Sequence, residues 1–218
     1  YYDLPTLTDS QLDTLEKDKI LQFIDSGDGV DTPRRGVCFY QSDSEFLPLW
    51  LSYSDPHFTL KSNFRFELIK KIGVDKMVWY GHLDLPWPVD DRHWITLSWN
   101  NHHMAKVSHN KMWEHPWELD LSYESKILDL IRTGKIKDLT EDAFKSSIFL
   151  PESKGAFALI RLEERTLVIY HSTGTIGGLV PDELMIRFLM RSMEELLTGI
   201  DQRSVQRVPR HYKSPHTM

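Results

Sequence analysis

Cysteine is almost missing from this chain. Cys38 stands alone among 218 residues, so no internal disulfide can form and redox chemistry does not fix the compartment. Long hydrophobic runs are also missing, and none approaches the ~20 apolar residues of a membrane-spanning helix. Positive charge is not in excess: 26 Lys and Arg face 32 Asp and Glu, a formal net charge of -6 with a pI near 5.9. Nucleic-acid binding needs a basic face that releases counterions, so that class is set aside. Permanent attachment to an anionic membrane is disfavoured by the same balance, which leaves at most transient membrane contact through a local patch. No signal peptide is visible, yet the chain starts at Tyr1 without a methionine. The expectation is a soluble protein, cytoplasmic, or exported if a signal precedes Tyr1.

Signatures of metal and covalent chemistry are lacking as well. Among ten histidines, His93, His102, His103, His109 and His115 crowd one stretch. Strand alternation separates their faces, and there is no His-Glu-x-x-His and no cysteine pair at ligand spacing. A Gly-x-Ser-x-Gly nucleophile elbow is absent. Gly174-x-x-Gly177-Gly178 follows a strand candidate but lacks the lysine of a phosphate loop, and reads as a gate. No metal and no cofactor are expected.

Tryptophan is what the chain has in quantity. Six of its seven lie between Trp79 and Trp117, a clustering that suggests an aromatic-lined interior or binding face. At this length folding buries roughly 70% of the unfolded surface, enough for one large domain with a core and a cavity. Thr8-Asp9-Ser10-Gln11 opens a predicted helix through about Phe23, with Leu12, Leu15 and Ile20 on one face. A strand at Val37–Tyr40 follows, then a helix capped by Ser42 that holds Phe46, Leu49 and Trp50. Phe64–Ile72, Met77–Leu85 and His93–Trp99 read as antiparallel strands, with a turn at Gly73-Val74-Asp75. Met104–Met112 reads as a further strand and 122–149 as a helical insertion. Gly155–Arg161 and Thr166–Ser172 form the last predicted hairpin. A long helix runs from Pro181 to Arg203, its stripe made by Leu184, Phe188, Leu189, Leu196 and Ile200. The residues from Val208 onward read as a loose, polar tail.

Alternation along His93–Trp99 puts His93, Ile95, Leu97 and Trp99 on one face, taken as core or cavity wall. Trp94, Thr96 and Ser98 share the other, facing solvent or ligand.

The segment Leu85-Pro86-Trp87-Pro88-Val89-Asp90-Asp91-Arg92-His93-Trp94, followed about 85 residues later by Gly177-Gly178-Leu179-Val180-Pro181 and the long helix, resembles the StAR-related lipid-transfer (START) group of the Bet v 1-like, helix-grip superfamily. The resemblance covers about residues 35 to 203. It implies an α+β helix-grip fold: a curved antiparallel sheet wrapped around a long C-terminal helix, here with an N-terminal helical extension (1–34), a helical insertion (about 122–149) and a tail (204–218). It implies non-covalent binding, and by extension transfer, of a lipid or other hydrophobic molecule in an internal cavity. The partner expected is thus a hydrophobic ligand of the lipid or sterol class, with the protein a monomer. Relatives of the same fold include polyketide cyclases and aromatases, so the alternative is acid–base catalysis with His93, Asp91, Arg92 and Tyr170 in the cavity. START relatives carry an Arg-Asp pair at the strand start and another arginine six residues on. Here the pair is reversed to Asp91-Arg92 and Ser98 stands at the later position, which favours a structural role for Arg92 over a ligand anchor. The cavity candidates are Trp79, Arg92, Trp94, Trp99, Met104, Trp113, Tyr170, Leu184 and Phe188, with Gly174, Gly177 and Gly178 as the gate.

Overall fold

The computed structural model describes residues 4–17, 20–25, 34–58, 64–175, 177 and 182–212, without side chains at 25, 34, 64 and 182–189. Helix α1 (Asp9–Glu16) begins where expected, the Gln11 side chain accepting the Thr8 backbone N–H at 2.8 Å. It stops at Glu16, well short of Phe23, because a period of two takes over. Leu21 and Phe23 turn to one side of strand β1 (Leu21–Asp25), and Phe23 packs edge-on to Phe39 of β2 (Arg34–Ser42) at 5.8 Å. Residues read as a helical extension thus supply an edge strand of the sheet.

Ser42 does not cap helix α2 (Phe46–Ser54), which is preceded by Glu45. Its hydroxyl closes β2 by donating to Asp201 and accepts the Ser44 N–H at 3.0 Å. Strands β3 (Phe64–Ile72) and β4 (Lys76–Leu83) are joined through Gly73, whose φ of 65° is the left-handed turn conformation the sequence signalled. Strand β5 (Arg92–Trp99) follows. The expected strand Met104–Met112 is instead helix α3 (His102–Val107), capped by Asn101, whose side chain accepts the Met104 N–H at 3.1 Å. His109 and Asn110, at φ 52° and 61°, then reverse the chain into β6 (Met112–Leu119).

The insertion holds helices α4 (Ile127–Arg132) and α5 (Glu141–Ser146) and returns through a two-residue strand β7 (Ile148–Phe149). The hairpin of β8 (Glu152–Arg161) and β9 (Thr166–Thr175) leads to α6 (Asp182–Gln206). The region read as a loose tail is still helical at α7 (Val208–His211), where Val208 is buried. Pro181 and residues 213–218 lie outside the described residues.

The sheet runs β1-β2-β9-β8-β6-β5-β4-β3, antiparallel throughout this path. β6 meets β5 only at Thr96–Ser98, and β7 pairs in parallel with Arg92 and His93. On the inner face Cys38, Phe157, Leu159 and Val168 pack against Phe46, Leu49 and Trp50 of α2 and against Met193, Leu197 and Ile200 of α6. Burying each such side chain contributes roughly 1.5–3 kcal/mol. Polar contacts fix the same junction: Ser52 Oγ donates to Ile200 O at 2.7 Å. The outer face carries two further clusters. One lies under α1, with Leu15, Val37, Phe39 and Ile169; the other lies under the insertion, with Val78, Tyr80, Ile95, Ile127 and Ile136. Among the described residues no helix is long and apolar enough to cross a membrane.

Candidate functional site

Register decides which β5 residues lie on the sheet face that packs against α6. Ser98 lies opposite Trp117, Trp117 opposite Gly155 and Gly155 opposite Ser172, so these residues share one face. Trp117 stacks on Tyr170 at 5.2 Å and 28°, and Tyr170 packs on the cluster that includes Met193. Arg92, Trp94, Thr96 and Ser98 therefore occupy the inner face. The opposite face, His93, Ile95, Leu97 and Trp99, is core beneath the insertion rather than a cavity wall. Trp99 is thus turned away from the other candidates.

Two glycines shape the inner face. A Cβ on Gly81 would overlap the Trp94 ring, and one on Gly155 would overlap the Trp117 ring. Both indoles lie down across a neighbouring strand instead of standing up toward α6. Phe66 meets Trp94 edge-on at 5.8 Å, and Trp79 Nε1 donates to Ser98 Oγ at 3.1 Å. This end of the face is a low aromatic floor (Trp79, Trp94, Trp117, Tyr170) set with the small polar groups Thr96 and Ser98. Burial pushes the Tyr170 phenol above its ordinary pKa, with Cys38 adding to the rise, so it stays a neutral donor. A cleft of about 280 Å³ opens at the β3 edge between Phe66, Leu68 and Trp79 and the insertion's Lys135 and Lys137. Sequence reasoning missed Gly81 and Gly155; the available signal was an isolated glycine inside a strand pattern, which marks close approach.

Trp113 also lies on the inner face, but at its packed end, edge-on to Phe46 at 4.7 Å and to Trp50 at 5.4 Å. Met104 belongs to α3 and to neither sheet face. The side chains of Leu184 and Phe188, and Gly178 altogether, lie outside the described residues. Arg92 is 1% exposed. Its Nη1 donates to Asp90 O and, at 3.3 Å, to Asp91 O, while Nη2 donates to Gly177 O at 2.9 Å. It therefore joins the proline loop to the segment after β9. Gly177 has a φ of 67° and needs its glycine, whereas Gly174 sits where a Cβ would come 2.8 Å from Glu152 O, a close approach between strands.

The groups weighed for acid–base work do not converge. His93 packs between Phe144 (4.7 Å) and Phe149 (5.0 Å) on the outer face, and burial brings its pKa down to about 4. Asp91 accepts the Leu85 N–H at 2.8 Å. Neither meets Tyr170. The crowded histidines also stay apart: His102 pairs with Asp75 at 2.9 Å, and His115 has Nδ1 2.9 Å from Asn100 Oδ1.

A sheet gripping a long C-terminal helix, with a helical insertion before the last hairpin, is the START-like helix-grip fold. A STAR-related lipid transfer protein fragment from Xanthomonas axonopodis superposes with a TM-score of 0.61 at 15% identity, over 86% of this chain and 94% of that one. Human STARD10 gives 0.64 at 12% identity, covering 89% and 75%. Human StAR-related lipid transfer protein 5 gives 0.62 at 10% identity, covering 86% and 82%. No protein-family model matches the sequence, and no curated protein matches it. At these identities the likeness is one of fold.

Proposed function

We propose that the chain binds a lipid or another hydrophobic small molecule between the inner face of the sheet and α6. The observation that carries this is the pair of indoles laid flat over Gly81 and Gly155. A face built only to pack would stand its large side chains up against the helix, as the Phe157, Leu159 and Val168 end does. Flat rings lower the floor and offer apolar area, while Thr96, Ser98 and Ser172 supply a few polar points to orient a ligand. The names of the structural neighbours, lipid transfer proteins, agree with this reading. Burial supplies the affinity at roughly 25 cal/mol per Å² of apolar surface. Exchange with a membrane fits the loop beside Arg92, whose Trp87 is 93% exposed; an exposed indole suits the membrane–water interface.

The test is extraction of the purified protein with organic solvent and mass spectrometry of the extract, followed by titration with the recovered molecule. A stoichiometric hydrophobic ligand whose binding quenches tryptophan fluorescence, and does so less in Trp117→Leu, is expected. An empty extract together with no saturable quenching by lipid or sterol panels would sink the proposal.

A further inference from the structure

We propose that His82, Asp84 and Asp91 form a divalent-cation site, best suited to Zn²⁺, where the proline loop leaves and rejoins the sheet. His82 and Asp84 are two apart at the end of β4 and project to the same side. His82 lies opposite His93 across the β4–β5 pair, which brings Asp91, just before β5, back to the same place. One donor atom from each of the three lies within 4.8 Å of the others. A tetrahedral zinc with bonds of ~2.1 Å sets its donors roughly 3.4 Å apart. His82 Nδ1 and Asp84 Oδ1 are already 3.2 Å apart. Asp91 Oδ2 stands 3.7 Å from the other ring nitrogen, Nε2, so its carboxylate has to swing toward the Nδ1 side to complete the set.

The hydrogen bonds around His82 say which nitrogen is the ligand. Ser147 Oγ donates its single proton to Ala143 O at 2.6 Å, so toward His82 Nε2, 3.3 Å away, it can only accept. Nε2 carries the hydrogen and Nδ1 is left with its lone pair. That Nδ1 is buried and makes no hydrogen bond, although a carboxylate oxygen stands beside it. A lone pair facing a carboxylate is an arrangement that a shared cation resolves. The next layer holds the donors in place: Arg65 Nη2 is 2.6 Å from Asp84 Oδ2, and the Leu85 N–H donates to Asp91 Oδ1 at 2.8 Å.

One imidazole and two carboxylates with room for a water suit zinc or a similar transition ion, and an imidazole donor argues against calcium or magnesium. Asp84 and Asp91 have side chains 42% and 31% exposed while His82 is 2% exposed, so an ion reaches the imidazole through the carboxylates. Bound there, it clamps both ends of the 85–90 loop, and Arg92, which follows Asp91, holds Gly177. The site stands independently of the ligand proposed for the inner face.

The experiment is calorimetric titration of chelator-stripped full chain with zinc chloride, with thermal unfolding followed in parallel. One equivalent should bind and raise the melting temperature. Asp84→Asn and His82→Gln should each weaken binding at least about tenfold and abolish the thermal shift. His103→Ala, which removes an exposed histidine on α3, should change neither. Should His82→Gln fail to fold, Asp84→Asn decides, since Asp84 is largely at the surface. Absence of one-equivalent saturation, or equal binding by wild type and Asp84→Asn, would overturn the proposal and mark the zinc as adventitious.

Discussion

Replacing Arg92 with methionine separates bracing from ligand anchoring. The change keeps much of the stem's volume and removes every donor and the charge. In the native protein the guanidinium is buried, and burial pulls its pKa below the ordinary value while Asp90 and Asp91 push it back up. Among its described bonds are three to backbone carbonyls: Asp90 O, Gly177 O at 2.9 Å and, more weakly, Asp91 O at 3.3 Å. Hydrogen bonds from a charged donor contribute about 1.5–3 kcal/mol each. Two good ones, offset in part by the relief of burying a charge, give a loss of about 3 kcal/mol. For a chain of this size each kcal/mol moves the melting temperature by roughly 2–4 °C, so a fall of about 6–12 °C is expected in ligand-free protein. Differential scanning fluorimetry on delipidated protein reads the stability, and fluorescence titration with the extracted ligand reads the affinity. A fall below about 2 °C together with a tenfold or greater loss of affinity would refute the bracing role and make Arg92 a ligand anchor.

Two further outcomes follow from the same structure. Gly155→Ala should destabilise more than Gly81→Ala, because the atom nearest its Cβ is the backbone His171 carbonyl oxygen, with the Trp117 ring next, whereas the nearest atoms to a Cβ on Gly81 all belong to the Trp94 side chain. Overpacking of this kind costs about 1–3 kcal/mol, and urea midpoints that place the two in the reverse order would contradict the account of the floor. Burial holds His93, His115 and His171 at a pKa of about 4, with His82 adding to the effect at His93 and Arg35 at His171. The unfolded chain takes up those protons near pH ~6.5, so the stabilisation is full above that pH and is lost as pH falls toward the folded values. The three should give a slope approaching roughly 4 kcal/mol per pH unit between about pH 6 and about pH 5, about a third of it absent in His115→Gln; an unchanged slope in that variant would count against the assignment.

The strands were legible wherever a period of two ran unbroken: Phe64–Ile72 was read to the residue, and β4 and β5 nearly so. Errors gathered where a local hydrogen bond outranked the pattern. Asn101 caps α3 and turns Met104 out of the sheet, and Ser42, read as a cap, is committed to Asp201. Which face of β5 continues the face covered by α6 was not legible at all. Alternation gives two faces, and only pairing across β6 and β8 tells which of them continues to the helix. The His82 cluster escaped for the same reason, since Asp91 comes beside Asp84 only when the loop closes.

The inner face divides its work along α6. At the end near Ser42, Met193, Leu197 and Ile200 meet standing side chains from the sheet and α2, and Ser52 and Ser42 lock the helix to its neighbours. At the other end the sheet offers reclining indoles and short hydroxyls. Interdigitated contacts gain dispersion energy and fix the helix, whereas on the proposed reading the flat floor gains its remaining contacts from the ligand. Truncation at the packed end, as in Leu197→Ala, should therefore cost about 2–5 kcal/mol whether or not ligand is present. Truncation on the floor, as in Trp117→Leu, should cost the free protein less than the loaded one. The gap between loaded and free stability is the measurable sign that the open end completes its packing with a ligand. Equal losses in both states would mean that the floor is ordinary core.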